Sequence, residues 1–280
     1  MMRRIRRELA TKAVIGMIHV PALPGSISYD CGPYINHYDL AMEELAKRPL
    51  QELKIYQDAG VDAIMLENMH DVPYARPPLA SETVHAMTLV AKAIRRRTQL
   101  PIGIQMLEAA NCEAMEIAAA ADLDFIRAEG YVYAHIGGAG LIEGSARKIL
   151  ELRKKLGVTH INVFADVKKK HCAHALTADL SVGDIVKQSD FFCADGIIIT
   201  GHFTGEPASN DDLLQARKAA PHLPLLIGSG ITAENLHEYF DHADGFIIGS
   251  YFKKDGYWKN DIDPDRVGRL MEAKNQLLRS

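Results

Sequence analysis

Short apolar runs, each followed by a longer stretch with helical periodicity, recur along the whole chain. The runs fall at residues 13–20, 63–67, 101–107, 125–130, 160–167, 196–201, 225–230 and 246–252. The stretches between and after them, at about 39–59, 82–97, 111–121, 144–156, 182–192, 211–220, 233–240 and 264–278, carry apolar residues at helical spacing. Runs such as Gly196-Ile-Ile-Ile and Gly245-Phe-Ile-Ile are apolar on both alternating sets of positions, as strands of a parallel sheet covered on both faces must be. Helix starts fit the division: Ser181 with Asp184 and Ser209 with Asp212 resemble capping boxes, and Pro264 suits a first helical position.

Eight strand-helix units predict a single (β/α)8 barrel, with residues 1–280 as one domain and residues 1–12 as an Arg-rich N-terminal extension. The structural rival is an open doubly wound sheet, which usually signals itself by a GxGxxG turn after the first strand; none follows this one. The extension admits two readings, an organelle-targeting peptide or a basic cap on the bottom of the barrel. A cytoplasmic location is expected, with a mitochondrial one as the alternative.

Composition narrows the partners. The chain is 48% hydrophobic and 24% charged with a net charge of −4, so no basic excess points to nucleic acid, and no apolar run approaches the length of a membrane span. Cys31, Cys112, Cys172 and Cys193 form no CxxC pair, which leaves neither a zinc ribbon nor a disulfide framework. A small molecule is the expected partner, and a homo-oligomer is compatible with all of this.

Candidate chemistry gathers at the strand ends, where barrel enzymes place their sites. Gly228-Ser229-Gly230 follows the seventh run and Gly249-Ser250 the eighth, the two positions from which barrels build phosphate sites. Glycine lets backbone N–H groups approach phosphate oxygens, Ser229 and Ser250 add hydroxyls, and Lys253 or Lys254 is expected to add charge. An acidic side chain at Gly230 should abolish such binding. Polar residues close the other runs: His19, Glu67, Gln105 and Glu108, Arg127 and Glu129, Asp166, then Thr200 and His202. Glu67 and Asp166 suit proton transfer or, through hard oxygen ligands, a divalent metal such as Mg, Mn or Zn; spacing does not choose between these, nor exclude structural pairing with a cation. Lys170 beside His171 is the most reactive-looking segment, against the alternative that Lys168, Lys169 and Lys170 form a solvated loop.

The phrases Gly16-Met-Ile-His-Val-Pro-Ala-Leu-Pro-Gly25, Glu67-Asn-Met-His-Asp-Val-Pro-Tyr74, Gly140-Leu-Ile-Glu-Gly144, Ala165-Asp-Val-Lys-Lys-Lys-His171 and Thr200-Gly-His-Phe-Thr-Gly205 together resemble the BtpA/SgcQ family, from about Val14 to the final helix. The resemblance implies a (β/α)8 barrel related to phosphate-binding barrels and fixes no reaction. Its associations diverge: photosystem I accumulation in cyanobacteria, proteins resembling sugar-phosphate metabolism in bacteria, a mitochondrial label in animals. Carried over residue by residue, its phrases fall on His19, Glu67, Asn68, Asp71, Asp166, Lys170, His171, Thr200, Gly201, Thr204 and Gly205.

The leading expectation is an enzyme of lyase, aldolase or isomerase type acting on a small phosphorylated, sugar-phosphate-like metabolite, with His19, Glu67, Asp166, Lys170 and His171 near the chemistry. Asn68, Thr200, Gly201, Thr204 and Gly205 join the glycine loops as binding residues. The alternatives are a non-catalytic assembly or stability factor and a metal-assisted phosphoester hydrolase.

Overall fold

In the computed structural model, which describes residues 4–30, 32–34, 37–201, 203 and 205–279, parallel strands close on one another in chain order. They are β1 (Ala13–His19), β2 (Ala63–Glu67), β3 (Ile102–Gln105), β4 (Phe125–Ala128), β7 (Asn162–Val167), β8 (Gly196–Ile199), β9 (Leu225–Ile227) and β10 (Gly245–Ile248), with β10 pairing back onto β1. Around them run α2 (Tyr38–Asp58), α3 (Ser81–Arg95), α4 (Asn111–Ala120), α5 (Ala146–Lys155), α6 (Val182–Phe191), α7 (Asn210–Ala219), α8 (Leu236–Tyr239) and α9 (Pro264–Leu277). The (β/α)8 barrel expected from the eight units is the architecture observed.

Two sets of buried side chains follow from strand alternation. One set, including Val14, Ile18, Ile64, Ile104 and Ile126, packs outward against the helices. The other fills the barrel: Ala13, Ile15, Met17, Ala63, Met65, Phe125, Phe164, Ile198, Leu226 and Ile247. Gly103 makes room for this filling, because a Cβ there would stand 2.1 Å from the Phe125 ring.

Three segments depart from the periodicity reading. The N-terminal extension contains α1 (Arg4–Leu9), whose Ile5 and Leu9 join the barrel-filling cluster and close its lower end; the side chains of the arginines lie outside the described residues. Between β4 and α5 an antiparallel hairpin, β5 (His135–Gly137) with β6 (Gly140–Ile142), stands beside the mouth, tied by backbone bonds between Ile136 and Ala173. The helix expected at 233–240 shrinks to α8, because Thr232 and Asn235 exchange side chain-to-backbone bonds and Asn235 Nδ2 donates to the Gly230 carbonyl, a local turn that competes with helix. Of the helix starts, Ser181 and Asp184 form the capping box and Pro264 stands in the first turn behind the Asp263 cap, whereas Ser209 occupies the N-cap of α7 without a side-chain cap bond.

Candidate functional site

The inward alternation that fills the barrel continues one step further up every strand. Two residues beyond Met17, Met65, Gly103, Phe125, Phe164, Ile198, Leu226 and Ile247 come His19, Glu67, Gln105, Arg127, Asp166, Thr200, Gly228 and Gly249. Register confirms the layer on one side, since His19 is level with Glu67 and Glu67 with Gln105. A polar layer with two glycines therefore sits directly on an apolar plug, at the carboxyl ends of the strands.

Most charges in this layer are committed to one another. Arg127 donates through Nε (2.9 Å) and Nη2 (2.5 Å) to Asp166 Oδ2, both residues being buried. Asp166 Oδ1 has no partner among the described residues, and Asp166 lines, with His135, a small void of about 30 Å³ separate from the main cavity. Lys169 pairs with Glu129 at 3.0 Å and Glu108 at 3.3 Å, and Glu129 also accepts from Gln105 Nε2 and the Ala109 N–H. Burial opposes the Lys169 charge but is outweighed, chiefly by Glu129, so its pKa stands above that of an ordinary lysine. The loops bearing these groups are strained: Glu108, Ala109, Lys168 and His171 all have φ between 49° and 61°.

Glu67, His19 and Lys170 are less constrained. Burial pushes the Glu67 carboxyl up, opposed by Arg127 and Lys170. Burial, then the charge of Lys253, lowers His19 to about 3, so the 3.8 Å approach of its Nε2 to Glu67 Oε2 involves a neutral histidine and is not an ion pair. His19 Nδ1 lies 3.2 Å from the Trp258 carbonyl, which can only accept; Nδ1 therefore carries the proton and Nε2 offers a lone pair. Lys170 Nζ has no hydrogen bond or ion pair among the described residues, and burial followed by the Arg127 charge lowers its pKa. Desolvation likewise lowers His171, whose ring lies 5.6 Å from that of Phe203.

These groups border one cavity of about 380 Å³, within the range of small-molecule sites. Its other end is formed by Gly228–Thr232, Gly249–Tyr251, Gly205, Gly256 and Arg266. Glycine is required at Gly230, where a Cβ, at φ +76°, would stand 2.1 Å from Pro207 N; at Gly249 a Cβ would make only a tight contact, 3.3 Å from His19 Nε2. An acid at Gly230 would thus disturb the 206–207 backbone as well as any anion.

The cation at this end is not the one expected. Lys253 is fully buried and bound to Glu52 at 2.7 Å, and Lys254 is exposed outside the cavity; Arg266, from the first turn of α9, lines it instead. Arg266 is fixed by donation to the Tyr251 carbonyl and by stacking 4.5 Å from the Tyr251 ring centre. Ser229, although it lines the cavity, has its hydroxyl engaged, donating to Glu206 O and accepting from Gly201 N. Gly201 is accordingly pressed against residues 206–207 and Thr200 packs beside Gly228, neither lining the cavity. Asn68 joins loops: its Oδ1 accepts from Leu107 N, its Nδ2 donates to Asp71, and Asp71 accepts from Leu23 N. Thr204 and His202 lie outside the described residues.

For a metal, Glu67 and Asp166 do not converge with a third donor; no group of three or more His, Cys, Asp or Glu among the described residues is arranged to hold an ion. Sequence reasoning missed Arg266, Tyr74 and Trp258, all of which line the cavity. Pro264 at a helix start was the available signal for Arg266, since an Arg two residues later falls in the first turn.

The fold and site define a (β/α)8 barrel with an enclosed mouth, titratable at one end and glycine-lined at the other. The model of the BtpA family matches residues 10–276, and the chain belongs to that family. A Caenorhabditis elegans relative whose name carries the word mitochondrial is 44% identical over 95% of this chain and 94% of its own length. The Photosystem I biogenesis protein BtpA of Synechocystis is 32% identical over 95% of this chain and 89% of its own. Among solved structures, N-(5'-phosphoribosyl)anthranilate isomerase from Pyrococcus furiosus superposes with a TM-score of 0.54 at 14% identity, covering 95% of this chain and 99% of that one. Orotidine 5'-monophosphate decarboxylase from Methanocaldococcus jannaschii gives 0.55 at 15% identity with the same coverage. At such identities the likeness concerns the fold. Among the described residues no helix is long and apolar enough to cross a membrane.

Proposed function

We propose that this protein is an enzyme that moves a proton on a small phosphorylated metabolite, in a reaction of isomerase, lyase or aldolase type. The observation that carries the reading is the division of one cavity between the Gly228–Gly230, Gly249–Ser250 and Arg266 end and the Glu67, His19 and Lys170 end. Glycine backbones and a guanidinium suit a phosphate group. A carboxyl whose pKa is raised by burial, 3.8 Å from a neutral histidine, suits proton transfer to and from a substrate. Lys170, which lines the same end without a hydrogen bond or ion pair among the described residues, supplies positive charge for an anionic group of the substrate. The isomerase and the decarboxylase of similar fold are named as enzymes of phosphorylated compounds, which is consistent with this reading.

A non-catalytic assembly factor, the reading suggested by the name of the Synechocystis relative, has no use for a cavity lined by a lysine that is without an ion pair among the described residues. A metal-assisted hydrolase needs a metal-bound water. Three acids of this rim are instead bonded to cations, Asp166 to Arg127 and Glu108 and Glu129 to Lys169, which leaves Glu67 as the acid available for proton transfer.

Trp258 is the only tryptophan and lines the cavity, so its fluorescence reports occupancy directly. Glycerol 3-phosphate should change the emission saturably while glycerol does not. Arg266→Met should weaken that binding about tenfold or more, the loss of one charge-assisted contact. Indifference of the wild-type emission and heat to phosphate esters, or unchanged affinity in Arg266→Met, overturns the phosphate assignment.

A further inference from the structure

Two cationic donors at the titratable end have no hydrogen-bond partner among the described residues. Arg127 uses Nε and Nη2 on Asp166, while its Nη1 has no partner among the described residues and faces the Gly228 side of the mouth, 3.5 Å from where a Gly228 Cβ would be. Lys170 Nζ is likewise without a partner there, and the two charges are close enough that Arg127 perturbs Lys170. Both residues line the cavity. They arrive from β4 and from the loop after β7, which are adjacent strands, so both stand on the same side of the mouth.

Gln105 adds an acceptor beside them. Its Nε2 must face Glu129, because a carboxylate only accepts, and this leaves the buried Oε1 without a partner among the described residues. Buried polar atoms without partners are few in folded proteins and mark places where a ligand or water completes the bonding.

We propose that Arg127 Nη1 and Lys170 Nζ hold a substrate carboxylate while Gln105 Oε1 accepts from a hydroxyl near it, so that the substrate is a sugar-acid phosphate. The inference rests on the phosphate reading for the opposite end of the cavity. A carboxylate fits better than a neutral carbonyl or hydroxyl, because two cationic donors in a water-poor site attract a full negative charge as well as an acceptor atom, and a neutral group would leave their charges uncompensated. It also offers two oxygens to two donors. The Glu67 carboxyl, which forms no ion pair with either cation among the described residues, then stands free to exchange a proton with the carbon chain between the anchors.

Matched pairs of esters that differ only in this group test the idea: 3-phosphoglycerate against glycerol 3-phosphate, 4-phosphoerythronate against erythritol 4-phosphate, and 6-phosphogluconate against glucitol 6-phosphate. Affinities are read at pH 7 from Trp258 fluorescence and by calorimetry on the full chain. At least one acid should bind about tenfold or more tightly than its alcohol, equivalent to about 1.4 kcal/mol. In Lys170→Met that preference should fall to about twofold or less while the alcohol phosphate binds within about twofold of wild type. Lys254→Met, which removes an exposed charge outside the cavity, should keep the preference. Equal binding of acid and alcohol by the wild type, or a preference that survives Lys170→Met, overturns the carboxylate site and leaves the phosphate end intact. Failure of all six esters to bind overturns the phosphate reading and this inference together.

Discussion

Lys169→Met should cost about 3–5 kcal/mol of folding stability, whereas Lys170→Met, one residue on, should cost less than about 1 kcal/mol. The difference lies in what each ammonium leaves behind. Lys169 is buried against Glu129, which is fully inaccessible, and against Glu108. Removing it leaves two carboxylates facing each other in a water-poor site, and an uncompensated buried charge is what makes breaking such a pair expensive. Lys170 has no ion pair to break among the described residues, and its lowered pKa means that the fold already disfavours its charge. Urea unfolding of the two variants checks this: the midpoint should drop for Lys169→Met and hold for Lys170→Met, with the slope unchanged in both. Equal midpoints would show that the lysine run acts as a solvated loop and that the Glu108, Glu129 and Lys169 cluster contributes nothing.

That pair of neighbours illustrates the limit of the sequence. A strand end is legible because alternation has period two: once Met17 and Met65 read as interior, His19 and Glu67 must face the same way, and the whole polar layer follows without a structure. The eight units were legible for the same reason, each strand being apolar on both faces. Past the last strand residue the period ends. Nothing in Lys168-Lys169-Lys170 says which side chain turns inward, because positive φ at Lys168 and His171 sets the course of the loop. Arg266 escaped notice because 15 residues separate β10 from α9, and its approach depends on how that segment folds back onto Tyr251. Lys253 looked like the anion's partner from its place after Gly249-Ser250, yet its counter-charge, Glu52, lies about 200 positions away in α2. The hairpin β5–β6 was hidden by its shortness, three residues a strand.

Acid should destabilise this protein well before ordinary carboxylates titrate, and His19 should account for a measurable share. His19 is held to about 3 and His135 to about 4, in each case first by burial, against 6.5 for a free histidine. Because the folded pKa lies below the unfolded one, the unfolded chain takes up these protons first as pH falls. The stabilisation is complete above 6.5, declines below it, and is exhausted once the native histidine is also charged, near 3 for His19. Each unit of pH in that window costs about 1.4 kcal/mol per histidine, so the two together remove on the order of 4 kcal/mol by pH 5, a large part of a typical stability. Glu67, Glu52 and Asp71 work in the opposite sense, since burial raises their carboxyls and the native state then holds the proton more tightly than the unfolded chain. The decisive quantity is therefore the difference between wild type and His19→Gln, in which the amide retains a donor for the Trp258 carbonyl. Plotted against pH between 6.5 and 4, the stability of wild type should fall more steeply than that of the variant by about one proton, or about 1.4 kcal/mol per pH unit. Parallel slopes would mean that His19 takes its proton in the folded state near the ordinary pH, as a cation paired with Glu67, and the neutral histidine assigned to the proton-transfer end would have to be given up.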